Sequence, residues 1–415
     1  MAKVLISLIG TGKKAKGDNE KNEYEKTDYL INGVIYEKRT FVSSAIIDNI
    51  GIEKVFFVGT KESMWDNLAE IFDASEEYYL SLVDKKEQNI LSANDLFELS
   101  AVVDKKLSSS GSQCFILKDS EKETDLWEMF DKFLEILSHL TDKDEVYFDI
   151  THLFRSVSVL SFIMAEFGKI NQDIKIAGMF YGMLKKDEAS PIVNLSIFFE
   201  LLDWARAIGN LKKYGNSFEL MKLLKDSDGS KEIKSSFKNF SDAISISDIG
   251  ALQSSIKQLK GKINLFVDSP NNIHKLISKD LVGFIDRFNI ESLAKFQFEL
   301  AKWYVENKNF AFAYITLAES VVSIVCENEK LDSTSKDDRE KAKKILWEYD
   351  DWKISSNEKN KIGEAFSKVN NIRNNIAHKL SSNGSKTKSQ PANSIENIED
   401  YIKKFTPLFN KKQEV

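Results

Sequence analysis

The chain is poor in the residues that build disulfides and metal cages: its 415 residues include two cysteines and four histidines. Cys114 and Cys326 lie far apart, so they read as buried free thiols of a reducing compartment and not as a disulfide framework. Four histidines and two separated cysteines cannot supply a Cys/His zinc cage. No tight Asp/Glu cluster marks a Mg²⁺ site, so neither metal nor cofactor is expected. The Gly-Lys-Ser/Thr of a P-loop is missing too. No apolar run approaches the ~20 residues of a membrane span, and Met1–Ile9 runs straight into a glycine turn, as a strand would and a signal peptide would not. A cytoplasmic protein is expected. Arginine is equally scarce, six against fifty-two lysines.

What remains is an ordinary soluble composition, 42% hydrophobic and 29% charged, in a chain long enough for two domains. The net charge of −6 is uneven, since residues 351–415 carry twelve basic and seven acidic side chains. That basic end suits RNA phosphates or a lysine-rich solvated helix face equally well.

Lys3–Ile9 is a continuous apolar run typical of a strand buried on both faces. It ends at Gly10-Thr11-Gly12, a turn whose backbone amides can approach a phosphate. The polar Lys13–Lys26 that follows rules out a dinucleotide fingerprint. Thr40–Ile50 reads as a helix and Lys54–Val58 as a strand ending in Gly59-Thr60, before Ser63-Met64-Trp65 opens another helix. Trp65 has two readings there, stacking on an adenine or filling the core. Gln113–Leu117 is a strand and Asp125–Leu140 an amphipathic helix. Glu145–Ile150 is the next strand, with a helix expected over Thr151–Phe167. Asp149, Thr151, His152 and Arg155 thus fall at a strand's carboxyl end, where helix amides favour anions. His152 and Arg155 would share one face of the first turn, or His152 would simply cap and pack. Ile174–Phe180 and Ile192–Leu195 supply the last strands, joined through Tyr181-Gly182. Alternating strands and helices predict a Rossmann-like, mostly parallel α/β domain.

After about Ser196 the chain reads as all-α, with a boundary suggested at Ser269-Pro270-Asn271. Trp303, Phe310, Phe312, Tyr314, Leu317 and Val321 are the expected bundle core. Arg373 and His378 stand late in a helix predicted over Lys361–Leu380. Asn374 and His378 share a face, with Arg373 beside it. Two such helices about a two-fold axis would bring two imidazoles and two guanidiniums into one cleft. Imidazole moves protons near neutral pH and guanidinium braces a phosphorane, which suits RNA cleavage by its own 2′-OH. Basic residues in a last helical turn also favour the helix dipole, which would explain the pair without chemistry.

The chain resembles the CRISPR-associated CARF–HEPN ribonucleases, ancillary effectors of type III immunity. Asp149-Ile150-Thr151-His152-Leu153-Phe154-Arg155 looks like that family's sensor motif. Gly10-Thr11-Gly12 and Gly59-Thr60-x-x-Ser63-x-Trp65 resemble its ligand loops, and Arg373-Asn374-Asn375-Ile376-Ala377-His378 fits the HEPN pattern. The resemblance implies a CARF-like sensor over 1–195, a helical connection over 196–270 and a HEPN domain over 271–415. It also implies a homodimer that binds cyclic oligoadenylate, the tetra-adenylate ring being preferred here, and then cuts single-stranded RNA without a metal. Gly10, Thr11, Gly12, Thr60, Ser63, Trp65, Asp149, Thr151, His152, Arg155, Tyr181 and Gly182 would hold the activator. Arg373, Asn374 and His378 would cut. The competing expectation is a nucleotide-regulated binding or transcription-control protein with an idle helical half.

Overall fold

Residues 2–14, 22–23, 26–118, 122–185, 188–224, 230–350, 357–379 and 391–410 are described by the computed structural model. They divide into two compact units, 1–200 and 201–415.

The first unit is built on strand β1 (Lys3–Ile9), followed by β2 (Lys13–Lys14), β3 (Asn22–Glu23), β4 (Thr27–Ile31) and β5 (Val34–Arg39). Helix α1 (Val42–Ile50) leads to β6 (Lys54–Gly59), and α2 (Trp65–Ile71), α3 (Glu76–Glu87) and α4 (Phe97–Leu107) lead to β7 (Gln113–Ile116). Then come α5 (Glu123–Ser138), β8 (Glu145–Asp149), α6 (Arg155–Asn171), β9 (Lys175–Gly182) and β10 (Ser190–Asn194). The eight-stranded sheet has the order β5-β4-β10-β9-β8-β1-β6-β7. Strands β9, β8, β1, β6 and β7 pair in parallel, while β10 runs antiparallel to β9 and β5 to β4.

The continuous apolar runs have a simple cause. Side chains alternate across a strand, so Leu5 and Ile9 of β1 enter one core with Val55, Phe57 and Tyr147. Val4, Ile6 and Leu8 enter the other, with Phe56, Val58 and Phe148. Both faces are covered, and both demand hydrophobes.

Two expectations need correction, and the hairpin β4–β5 is not among the predicted strands. Tyr181-Gly182 belongs to β9 and is not a connection. Helix α6 begins at Arg155, not Thr151, because Thr151 bonds back to the strand ends and Leu153 takes a left-handed backbone, φ 75°. His152 therefore lies in a loop and shares no helical turn with Arg155.

The second unit is helical: α7 (Ile197–Tyr214, which starts just before the division), α8 (Phe218–Leu223), α9 (Ser230–Ser245), α10 (Ile249–Lys262), α11 (Asn264–Val267) and α12 (Asn272–Phe288). It continues with α13 (Leu293–Glu306), α14 (Phe310–Asn328), α15 (Lys336–Asp350), α16 (Asn357–Lys379) and α17 (Pro391–Asn410). One core runs from Trp204 to Phe409, so Ser269-Pro270-Asn271 is a turn within it and not a break between cores. Trp303, Tyr314, Leu317 and Val321 are buried as expected, whereas Phe312 is exposed. Against the expectation that no apolar run approaches a membrane span, helix α14 is long and apolar enough to cross a membrane by length and composition, but it is mostly buried among the other helices. Gly363 lets α16 approach the end of α15, since a Cβ there would stand 2.2 Å from the Asp350 amide nitrogen.

Candidate functional site

Strand β1 lies between β6 and β8. The chain reaches β6 through α1, which packs on one face of the sheet, and reaches β8 through α5, which packs on the other. Connections that diverge in this way open a crevice at the strands' carboxyl ends, where ligands of open α/β sheets sit. The loops after β1 (Gly10–Gly12) and β8 (Ile150–Phe154) border that crevice.

A chain of hydrogen bonds crosses it. The Ser7 hydroxyl donates to Asp149 Oδ2 at 2.9 Å, and the Thr151 amide and hydroxyl donate to Oδ1 at 3.1 and 2.6 Å. The Gly182 amide donates to Thr151 Oγ1 at 2.8 Å. Strands β1, β8 and β9 are thereby tied at their ends. Gly182 must be glycine for the last link, because a Cβ would meet Val42 Cγ2 at 2.6 Å.

Asp149 is wholly enclosed. Burial pushes its carboxyl up, opposed by His152 and by its hydrogen bonds. Burial pushes the His152 imidazole down, opposed by Asp149, so His152 is neutral near pH 7. The Phe41 ring meets it edge-on at 6.2 Å. Burial, with the Asp149 charge second, pushes the Tyr29 hydroxyl up to about 12.

The loop after β6 is stapled to the loop after β1. Ser63 Oγ donates to the Ile9 carbonyl at 2.8 Å and accepts from the Thr60 amide at 2.9 Å, while the Met64 amide donates to the Gly10 carbonyl at 3.0 Å. Gly12 has a left-handed backbone, φ 71°, against Met64. Trp65 is fully buried, its indole N–H donating to the Thr60 carbonyl at 2.8 Å. Its ring therefore fills the core and offers no face for stacking; this corrects the adenine-stacking expectation. Thr60 is also buried, with its hydroxyl lacking a hydrogen-bond partner. Thr11 is half-buried, and Arg155 and Tyr181 are exposed. Arg155 opens α6, which has no side-chain cap, and the Val157 amide donates to the N-cap Phe154 carbonyl at 3.0 Å.

The second unit brings together residues that sequence spacing did not join. Glu319 on α14 is the only charged side chain between Phe310 and Cys326. Arg373 Nη2 on α16 donates to Glu319 Oε1 at 3.1 Å, and its Nη1 donates to Asn374 Oδ1 at 3.0 Å. Arg339 on α15 reaches the other carboxylate oxygen through Nη2. A half-buried carboxylate in an apolar helix needs counter-ions, and the lone charge of α14 was the signal that could have found this cluster. His378 lies one helical turn beyond Asn374 on α16, and its side chain lies outside the described residues.

Residues 200–292 match the family model described as CRISPR-associated protein MJ1674, second domain. Across 99% of the chain and 67% of the relative, the sequence is 33% identical to the CRISPR-associated protein MJ1674 of Methanocaldococcus jannaschii. Among solved structures, Enterococcus italicus Csm6 bound to cyclic hexa-2′-fluoro-hexa-dAMP aligns over 100% of this chain and 96% of its own. That alignment has 12% identity and a TM-score of 0.40. With an α/β unit followed by a helical unit, and a CRISPR-associated relative along nearly its whole length, this chain belongs to the CRISPR-associated MJ1674 family.

Proposed function

We propose that this protein is an endoribonuclease of type III CRISPR defence, switched on by cyclic oligoadenylate and independent of metal. The observation that carries the reading is the pairing of an anion-suited crevice in the first unit with the Arg373–Asn374–His378 segment in the second. At the crevice, Gly10–Gly12 amides, Thr11, His152, the exposed Arg155 and Tyr181 offer donors and a cation to a ring of phosphates, while both Thr151 donors are already spent on Asp149. Asp149, Ser63, Trp65 and Gly182 shape the loops instead of meeting the ring. In the second unit His378 would move the proton of the 2′-OH and Arg373 would brace the phosphorane.

A homodimer supports both sites, since each would then be presented twice. Val159, Ile163, Phe167 and Ile170 recur at helical spacing along α6 and are each 42–61% exposed. An apolar stripe of this kind favours self-association.

The test is cleavage of a fluorogenic RNA by the full-length protein, with rings of two to six adenylates and EDTA present. Cleavage with one ring, the tetra-adenylate by preference, and products ending in 2′,3′-cyclic phosphate are expected. Arg155→Ala should weaken activation ~10-fold, with the rate recovered at saturating ring. Silence with every ring, or activity that EDTA abolishes and Mg²⁺ restores, would overturn the reading.

A further inference from the structure

Two of the six arginines in the chain converge on one carboxylate. Arg339 comes from α15, Arg373 from α16, and Glu319 from the apolar α14, which packs against both. Each arginine takes one oxygen of Glu319. Arg339 also donates through Nη1 to the Ser333 carbonyl at 3.4 Å, so its guanidinium is held from two sides. The side chains of Arg339, Glu319 and Arg373 are 23%, 27% and 36% exposed.

One arginine would suffice to neutralise Glu319. If Arg373 alone did so, its charge would be spent inside the protein and little would remain for a phosphate. With Arg339 taking the second oxygen, two cations share one anion and the cluster keeps a net positive charge. A guanidinium suits this division because it is planar and has five donors: one Nη can hold the carboxylate while others stay available.

We propose that Arg339 is a positioning residue for RNA cleavage that acts through Glu319. It occupies half of the carboxylate, so that Glu319 aims Arg373 without cancelling its charge. The inference rests on the ribonuclease reading above and adds a residue that the Arg–His spacing does not contain.

The experiment measures kcat and KM for RNA cleavage by full-length protein at saturating activator. In Arg339→Gln, Glu319 is left entirely to Arg373, and kcat should fall ~10-fold. The double variant Glu319→Gln/Arg339→Gln removes both the misplaced anion and its former partner. It should cut at least ~3-fold faster than Arg339→Gln alone, an interaction of opposite sign to simple damage. Arg339→Lys keeps the charge and the ion pair, and should stay within ~3-fold of wild type; it also serves as the folded comparison if Arg339→Gln melts early. A double variant as slow as Arg339→Gln, a wild-type kcat in Arg339→Gln, or an Arg339→Lys enzyme as slow as Arg339→Gln would each overturn the proposal. A wild-type protein that cuts no RNA with any ring overturns the ribonuclease reading itself, and this proposal falls with it. Cleavage by wild type with the wrong variant pattern overturns only the role of Arg339.

Discussion

Asp149 and Glu319 are both carboxylates set in apolar surroundings, and the two units accommodate them differently. Asp149 is fully enclosed and accepts from neutral hydroxyls and an amide. Glu319 is half-buried and meets two guanidiniums. Neutral donors fix a position and close a loop around it, at the cost of burying whatever charge the carboxyl keeps. Charged donors leave a surplus that reaches solvent. The α/β unit thus invests its buried polar groups in shape, and the helical unit in charge. Under the proposed function, a crevice fitting a ring and a site stabilising a phosphorane would differ in that same respect.

The strongest way to break the comparison is through activity. Arg373→Ala and His378→Ala should each lower RNA cleavage ~10²-fold or more, with activator affinity by calorimetry unchanged. If either variant cut at the wild-type rate, charge in the helical unit would have no catalytic meaning.

A smaller effect concerns stability. Asp149→Ala leaves the Ser7 hydroxyl and two Thr151 donors unpaired in a dry site, and should cost ~2–4 kcal/mol. Glu319→Gln removes two partly solvated ion pairs and should cost ~1 kcal/mol. Urea unfolding followed separately in each unit measures both, and equal costs would erase the distinction drawn here.

The smallest effect is in pH. Burial holds the folded-state pKa of His152 below its ordinary 6.5. Neutral His152 therefore contributes stability that is complete above pH 6.5 and lost as pH falls through the lower folded value. The melting temperature should drop more between pH 7.5 and 5.5 in wild type than in His152→Gln. His274 is also held down by burial, but it is present in both proteins and cancels in the difference. Parallel curves would place His152 in a more open setting.

Much of the frame was legible because burial on two faces leaves a plain record. Lys3–Ile9 was read with its true bounds. The hairpin β4–β5 left no such record. Residues 34–39 are mostly exposed, so the sequence VIYEKR carries little pressure toward apolar residues. The start of α6 was misplaced because Leu153 gives no warning that it will adopt a left-handed backbone. Trp65 had two readings, and only its burial against Thr60 decided between them. The Arg–His spacing lies on one helix and can be seen in a line of text. The link from Arg373 to Glu319 spans 54 residues and three helices, and no spacing rule reaches that far.

The order of strands also sets a schedule for synthesis. β4 is made early, but one of its edges pairs with β10, where Tyr29 meets Ser190. At ~5–20 residues per second, the hairpin waits roughly 10–30 s for that partner to be translated. During that wait it is an open edge, the usual place for one nascent chain to join another. Its outer strand carries Glu37, Lys38 and Arg39, charges that discourage such joining on that side. The inner edge has no protection except time. Faster elongation through residues 40–190 shortens its exposure, and stalling there should raise the aggregated fraction of newly made protein.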